Sequence, residues 1–466
     1  MDGFVGREKE LEFLEDLWDK VPMSCAVSGR RHLGKTALLR RFSDGKDCIY
    51  ISGEHGLRSS NLASISAEIS RFSGRKERIS DAIDILPRIK EVCGKRKVLV
   101  IIDRFSDLLS NFEEMNTCLR SFMNRDIGGT RILLVVCDSD SSLFGRFYYS
   151  LELKPMKYRE CVGFHPGYSS LQQLKAYAMV GGTPAHHKVI GERDPDDVMR
   201  FDTFDHMSVL SLDVEGMVHS EAMMFEGCYM ALSAMAHGAE SLREISSRAD
   251  ISSSFCSRLL DDLEHKGMVS KEVSSGLSRR AVYSISSNIL NYYYRVVLPR
   301  SSVSEFEGTE AAYVSATDSI RDYIESSFKT LCMDYVAESM DFKFVGKLRR
   351  KDDSADDIID FVAMLVQKGK NRVAVARCRL YGDPLDEEDL YELKDRAKRV
   401  EGSGKLYMMF SGCGFSNELS MASSKASDVK LYTLDDLYSR SPSSSSVQAK
   451  KSTDFISLLR YLNKIS

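Results

Sequence analysis

Two periodicities share this chain. Up to about residue 140, mainly apolar runs at residues 23–27, 48–51, 97–102 and 131–136 alternate with segments of helical spacing, such as Leu11, Leu14 and Leu17 within 8–17. Such runs read as strands buried on both faces, and their alternation with helices at 8–17, 61–72 and 80–93 predicts a parallel sheet covered by helices. From residue 226 the strands thin out. Helices at 229–236 and 241–248 precede a third that Ser252 caps, with Phe255, Leu259, Leu260 and Leu263 on its buried face, and then a hairpin of 268–273 with 280–285. Ser241 with Glu244 three positions on is a capping box, and Gly267 ends the third helix. After Arg300 the pattern predicts a helix at 315–339 with Ser315 as N-cap, strands at 358–365 and 372–379, a charged helix at 386–400 and a strand at 405–410. Residues 439–446 read as a serine-rich linker and 453–465 as a short amphipathic helix.

The run at 23–27 leads into Gly29-Arg30-Arg31-His32-Leu33-Gly34-Lys35-Thr36, and Ala37 continues into helical spacing. Strand, glycine-bounded loop and helix start in that order form a phosphate-binding P-loop. Backbone N–H groups at the helix start point at an anion, Lys35 reaches the β- and γ-phosphates, and the Thr36 hydroxyl is placed for Mg²⁺. The expected cofactors are therefore ATP and Mg²⁺. The strand at 97–102 ends in Asp103, a Walker B carboxylate and second Mg²⁺ ligand.

Phe4-Val5-Gly6-Arg7-Glu8, the P-loop, the strand ending in Asp103, Ser142-Leu143-Phe144-Gly145-Arg146 and Gly181-Gly182-Thr183-Pro184 occur in an order that resembles the archaeal ATPase family. That is a branch of AAA+-like P-loop ATPases carrying a winged helix and a restriction-endonuclease-like domain. The resemblance implies a multidomain α/β chain. It has a P-loop NTPase parallel sheet at 1–150, a helical lid at 151–220, a winged helix at 221–300, a degenerate restriction-endonuclease-like domain at 310–438, and a linker and helix at 439–466. It also implies that Gly6 and Arg7 lie near the adenine, that Arg146 is an arginine finger or lid arginine, and that Asp138 or Ser139 contacts the γ-phosphate or attacking water. Both Asp138 and Ser139 also fit ordinary helix caps.

One position departs from the family pattern. Where the family carries Glu after the Walker B Asp as general base, this chain has Arg104. A guanidinium whose pKa stays above ~12 cannot accept a proton, so ATP binding is expected with slow or impaired hydrolysis. Asp107 and Asp138 are the nearby carboxylates. The nuclease pattern is broken in a similar way. Asp360 is present, but Arg377 and Arg379 stand where Glu and Lys would be, which predicts an ion pair among the three in place of a Mg²⁺ site.

Composition adds exclusions. The net charge of −4 gives no global signature of nucleic-acid binding, so double-stranded DNA would have to meet a local surface. That surface is Ser252, Ser253, Ser254, Ser257 and Arg258 on the third helix with Arg279 and Arg280 on the wing. Asp261, Asp262 and Glu264 on the same helix favour a protein partner instead. Eleven cysteines without a Cys-x-x-Cys pair argue against a zinc ribbon or a disulfide framework. No apolar run nears the ~20 residues of a membrane span, and the expected location is cytoplasmic. The function expected is a nucleotide-dependent switch on DNA or a protein partner. A scaffold with structural nucleotide and an ATP-dependent nuclease are the alternatives.

Overall fold

The protein was analysed as a computed structural model that describes residues 3–144, 147, 149–222, 227–273, 281–340, 342, 344–346, 358–367, 370–400, 402–439 and 450–451. It divides into two compact units, Met1–Phe164 with Gly182–Lys188 and His165–Gly181 with Val189–Ser466.

The first unit contains α1 (Glu8–Asp19), β1 (Met23–Ser28), α2 (Lys35–Ser43), β2 (Cys48–Ser52), α3 (Arg58–Ser73), α4 (Ile85–Cys93), β3 (Val98–Asp103), α5 (Phe105–Leu109), α6 (Met115–Ser121), β4 (Ile132–Cys137), β5 (Tyr149–Glu152) and α7 (Tyr158–Cys161). The five strands form one parallel sheet in the order β2-β3-β4-β1-β5. Side chains of a strand alternate between faces, and here the alternation sorts the core into two layers. Ile49, Ile51, Val98, Val100, Ile102, Ile132, Leu134 and Val136 pack against α3 to α6. Cys25, Val27, Leu99, Ile101, Leu133, Val135 and Cys137 pack against α1 and α2, with Cys48 and Tyr50 at the edge. Every predicted strand is present. The predicted helix at 80–93 divides into a 3₁₀ turn at Ala82–Asp84 and α4, with the Asp81 carboxylate accepting from the Ile83 N–H at the turn's start.

The chain continues through α8 (Ser170–Val180), α9 (Pro184–Ile190), α10 (Pro195–Phe201), α11 (Val209–Ala222), α12 (Cys228–Ala236), α13 (Leu242–Arg248), α14 (Ser253–His265), β6 (Val269–Val273), β7 (Ala281–Ile285), α15 (Asn288–Tyr292), α16 (Ser301–Glu307), α17 (Thr309–Ser339), β8 (Phe344–Gly346), β9 (Phe361–Gln367), β10 (Lys370–Arg379), α18 (Glu387–Ala397), β11 (Ser403–Ser411), α19 (Asn417–Lys425), β12 (Val429–Thr433), α20 (Leu434–Ser439) and β13 (Lys450–Lys451). The Ser241–Glu244 capping box starts α13 and Ser252 caps α14 through the Phe255 N–H. β6 and β7 pair antiparallel, Val269 opposite Ile285. In the run Asn291-Tyr292-Tyr293-Tyr294-Arg295, Tyr292 and Tyr294 are buried.

The last sheet runs β12-β11-β10-β9-β8-β13. α17 starts at Thr309, six residues before Ser315, so the expected cap lies inside the helix and its hydroxyl donates to the Ala312 carbonyl. Gly308, at φ 92°, occupies the cap position.

The expected grouping of Asp360 with Arg377 and Arg379 is corrected by the backbone. The strand begins at Phe361, not at 358, and Ile359 fills the core beneath α18. Asp360 instead receives Lys329 of α17 at 2.6 Å and the Cys378 N–H at 2.6 Å. Arg377 and Arg379 both bind Asp389 of α18, at 2.7 and 2.6 Å, and Arg377 also binds Glu392 at 2.9 Å. Among the described residues no helix is long and apolar enough to cross a membrane.

Candidate nucleotide site

β1 delivers the chain to the loop, and three residues there take left-handed backbone angles: Gly29 (φ 140°), His32 (φ 67°) and Gly34 (φ 87°). Gly29 is required by space as well, since a Cβ there would lie 2.6 Å from the Leu153 carbonyl oxygen. Gly34 caps α2 without any side-chain hydrogen bond to the helix start, so no side chain competes for the first N–H groups of the helix. Lys35, the first residue of α2, folds back and donates to the carbonyl oxygens of Gly29 (2.5 Å) and Arg30 (3.1 Å). Burial holds its ammonium pKa below the ordinary lysine value. A desolvated ammonium beside a helix start whose first N–H groups meet no capping side chain is an arrangement that suits an anion.

Asp103 lies on the α2 side of the sheet because it continues the Leu99, Ile101 alternation. Its Oδ2 accepts from the Thr36 hydroxyl at 2.7 Å, and its Oδ1 from the Arg104 N–H at 2.9 Å. A hydroxyl and a carboxylate oxygen in hydrogen-bond contact are hard oxygen donors of the kind Mg²⁺ takes alongside phosphate and water. These two residues fit the ion.

The position after Asp103 belongs to a salt bridge. Arg104 stands at φ 56° and its Nε and Nη2 reach Asp107 Oδ2 at 2.8 and 2.7 Å. Asp107, which could have served as a substitute base, is thereby occupied by a cation. Asp138 is buried, and its carboxylate accepts from the N–H groups of Ser106 (2.6 Å) and Asp140 (3.0 Å), tying the end of β4 to the start of α5.

The entrance segment is fastened to the loop. Arg7, buried and at φ 68°, donates to the Leu33 carbonyl (3.3 Å) and the Lys154 carbonyl (2.7 Å) and pairs with Glu10 at 2.8 Å. Its guanidinium therefore clamps the backbone around the P-loop. Gly6, at φ 67°, leaves room for Met156.

Residues 182–188, within the stretch 151–220 expected as a lid, group with the first unit and touch the P-loop. Pro184 packs on Gly34, the Ala185 N–H donates to the His32 carbonyl at 3.4 Å, and the His186 and His32 rings stack with centroids 5.7 Å apart. Gly182 makes this approach possible, because a Cβ there would lie 1.8 Å from the Met156 carbonyl oxygen. Gly182→Ala should therefore destabilise the first unit by about 1–3 kcal/mol, seen as a lowered thermal midpoint. An unchanged midpoint would contradict this packing.

Ser252, Ser253, Ser254 and Arg258 are exposed on α14 and Ser257 is half-buried there. The helix's negative charge is partly balanced, since Asp261 pairs with Lys271 at 3.0 Å and Asp262 with Lys266 at 2.9 Å. Arg146, Arg279, Arg280 and the helix expected at 453–465 lie outside the described residues. Reading the sequence missed Tyr50, whose hydroxyl donates to Asp103 Oδ2 at 2.7 Å. The signal was the parity of β2, which sets residue 50 on the α2 face.

An interior β1 carrying the P-loop, with β4 between it and the Asp103 strand in an all-parallel sheet, is the P-loop NTPase fold. The whole chain is a multidomain α/β protein. No family model matches it. An uncharacterised protein of Methanocaldococcus jannaschii, MJECL04, is 22% identical over 324 residues, 65% of this chain and 70% of that protein. Among solved structures, the Walker-type ATPase PABY2304 of Pyrococcus abyssi has a TM-score of 0.48 at 16% identity, over 63% of this chain and 96% of its own. The ORC1 protein of Aeropyrum pernix, solved in complex with DNA, has a TM-score of 0.33 at 15% identity, over 66% and 94%. RuvB of Thermotoga maritima has a TM-score of 0.31 at 15% identity, over 60% and 93%.

Proposed function

We propose that this protein binds ATP with Mg²⁺ at the P-loop, turns it over slowly, and uses the bound nucleotide as a switch on a second macromolecule. The observation that carries the reading is the Thr36–Asp103 contact of 2.7 Å beside the buried Lys35 ammonium, a ready pairing of metal ligands and phosphate cation. Lys35 and the α2 N-terminus would hold the phosphates, and Thr36 and Asp103 the metal. Mg²⁺ would supply charge neutralisation between the β- and γ-phosphates. Slow turnover follows from Arg104, which occupies the base position and engages Asp107. Calorimetric titration with ATP and MgCl₂ tests the binding, and absence of heat with either nucleotide form would overturn it.

For the output, the three helices and hairpin α12 to β7 support a winged helix, and duplex DNA is the partner the exposed Arg258 and the serines of α14 favour. Affinity for duplex DNA should then fall by about 0.9 log units per log unit of salt for each phosphate contacted, and Arg279→Ala with Arg280→Ala should flatten the slope. Fluorescence anisotropy across a salt series, with and without ATP, measures it. A salt-independent or absent interaction would turn the module into a protein-binding surface, the reading that the acidic residues of α14 favour. Nuclease chemistry receives no support from Asp360, whose carboxylate is held by Lys329 and a backbone N–H, or from Arg377 and Arg379, bound to Asp389.

A further inference from the structure

We infer that Tyr50 is a positioning residue for the metal: its hydroxyl fixes the Asp103 carboxylate in the orientation that receives Mg²⁺. This rests on the ATP and Mg²⁺ reading of the site. Tyr50 sits on β2, directly opposite Ile101 of β3 in the parallel register, and Asp103 is two residues further along the same face. Two strand residues span about 6.6 Å, close to the length of a phenol side chain lying along the strand. The ring therefore runs parallel to β3 and its hydroxyl meets Asp103 Oδ2 at 2.7 Å.

That same oxygen accepts from the Thr36 hydroxyl at 2.7 Å, while Oδ1 is held by the Arg104 N–H. Turning a Thr36 lone pair towards Mg²⁺ would give up only the first of these bonds. It leaves the other two. Without Tyr50 the carboxylate would keep the Arg104 N–H on Oδ1 and the weak Cys137 thiol contact, and Oδ2 would be freer to rotate away from the metal position. The Tyr50 ring cannot easily leave, because it packs against the core beneath α1 and α2 and the Arg40 guanidinium lies over its face at 5.9 Å. Outer partners of this kind typically change metal affinity 10- to 100-fold when removed.

The test is Tyr50→Phe, which keeps the ring and removes one oxygen. ATP binding is titrated calorimetrically in EDTA and then across a MgCl₂ series. The Mg²⁺ concentration for half-maximal tightening of ATP binding should rise about 10- to 100-fold, while ATP affinity in EDTA stays within about twofold of the parent. In an Asp103→Asn background, Tyr50→Phe should have no further effect on the Mg²⁺ midpoint, which a merely structural role for the ring would not produce. An unchanged Mg²⁺ midpoint in the single variant overturns the role of Tyr50 alone. Equal losses with and without Mg²⁺ also overturn it, since they place the defect in the fold or the P-loop. A parent that binds no ATP overturns the nucleotide reading, and this inference falls with it.

Discussion

Arg104→Glu should raise the rate of ATP turnover by about 10²- to 10⁴-fold, the usual contribution of a positioned general base. Arg104 follows Asp103, the proposed metal ligand, directly, and its main-chain N–H is bound to that carboxylate at 2.9 Å, so a side chain here starts next to the proposed site. At present the side chain is a cation bridged to Asp107 at 2.7 Å. Glutamate brings an acceptor for the proton of the attacking water and frees Asp107 from the guanidinium, leaving it the His55 ring at 3.6 Å. Neither change taxes the fold heavily. The left-handed backbone at φ 56° is equally unfavourable for arginine and glutamate, and the Arg104 side chain is 53% exposed, so the lost ion pair is worth under ~1 kcal/mol. Phosphate release at saturating ATP and Mg²⁺ measures the effect. Rapid release by the parent would show that the base comes from elsewhere, and Asp107→Asn would then identify whether Asp107 supplies it.

Lys35→Ala should weaken ATP binding about 10- to 100-fold, which is ~1.5–3 kcal/mol for one hydrogen bond to a charged group. The ammonium now donates to the Gly29 and Arg30 carbonyls and is held in the loop with a depressed pKa. Phosphate oxygens are better acceptors for it than those carbonyls, and the interaction is strengthened by the desolvation already present. The loop itself should persist. Its turns are set by Gly29 and Gly34, and its flank is clamped by Arg7 on the Leu33 carbonyl. Calorimetry alongside a thermal melt separates the two effects. ATP affinity equal to that of the parent would remove Lys35 from the site.

Local patterns in the sequence determined the strands of the first unit, the loop between β1 and α2, and the Ser241 and Ser252 caps. Each of these depends on residues within one or two turns of each other, or on a strand ending where its apolar run ends. Thr36 and Asp103 were each legible by motif as Mg²⁺ ligands, and the strand order together with the Leu99, Ile101, Asp103 alternation brought them into contact. Tertiary structure decided what depends on contacts between distant segments. The Arg104–Asp107 bridge needed the left-handed turn after β3. The Tyr50–Asp103 bond needed the register of β2 against β3. Residues 182–188 joined the P-loop because Gly182 permits a backbone approach to Met156 that no sequence period encodes. Asp360 parted from Arg377 and Arg379 because the strand starts at Phe361, and a shift of parity at a strand's end sends a side chain to the opposite face of its sheet.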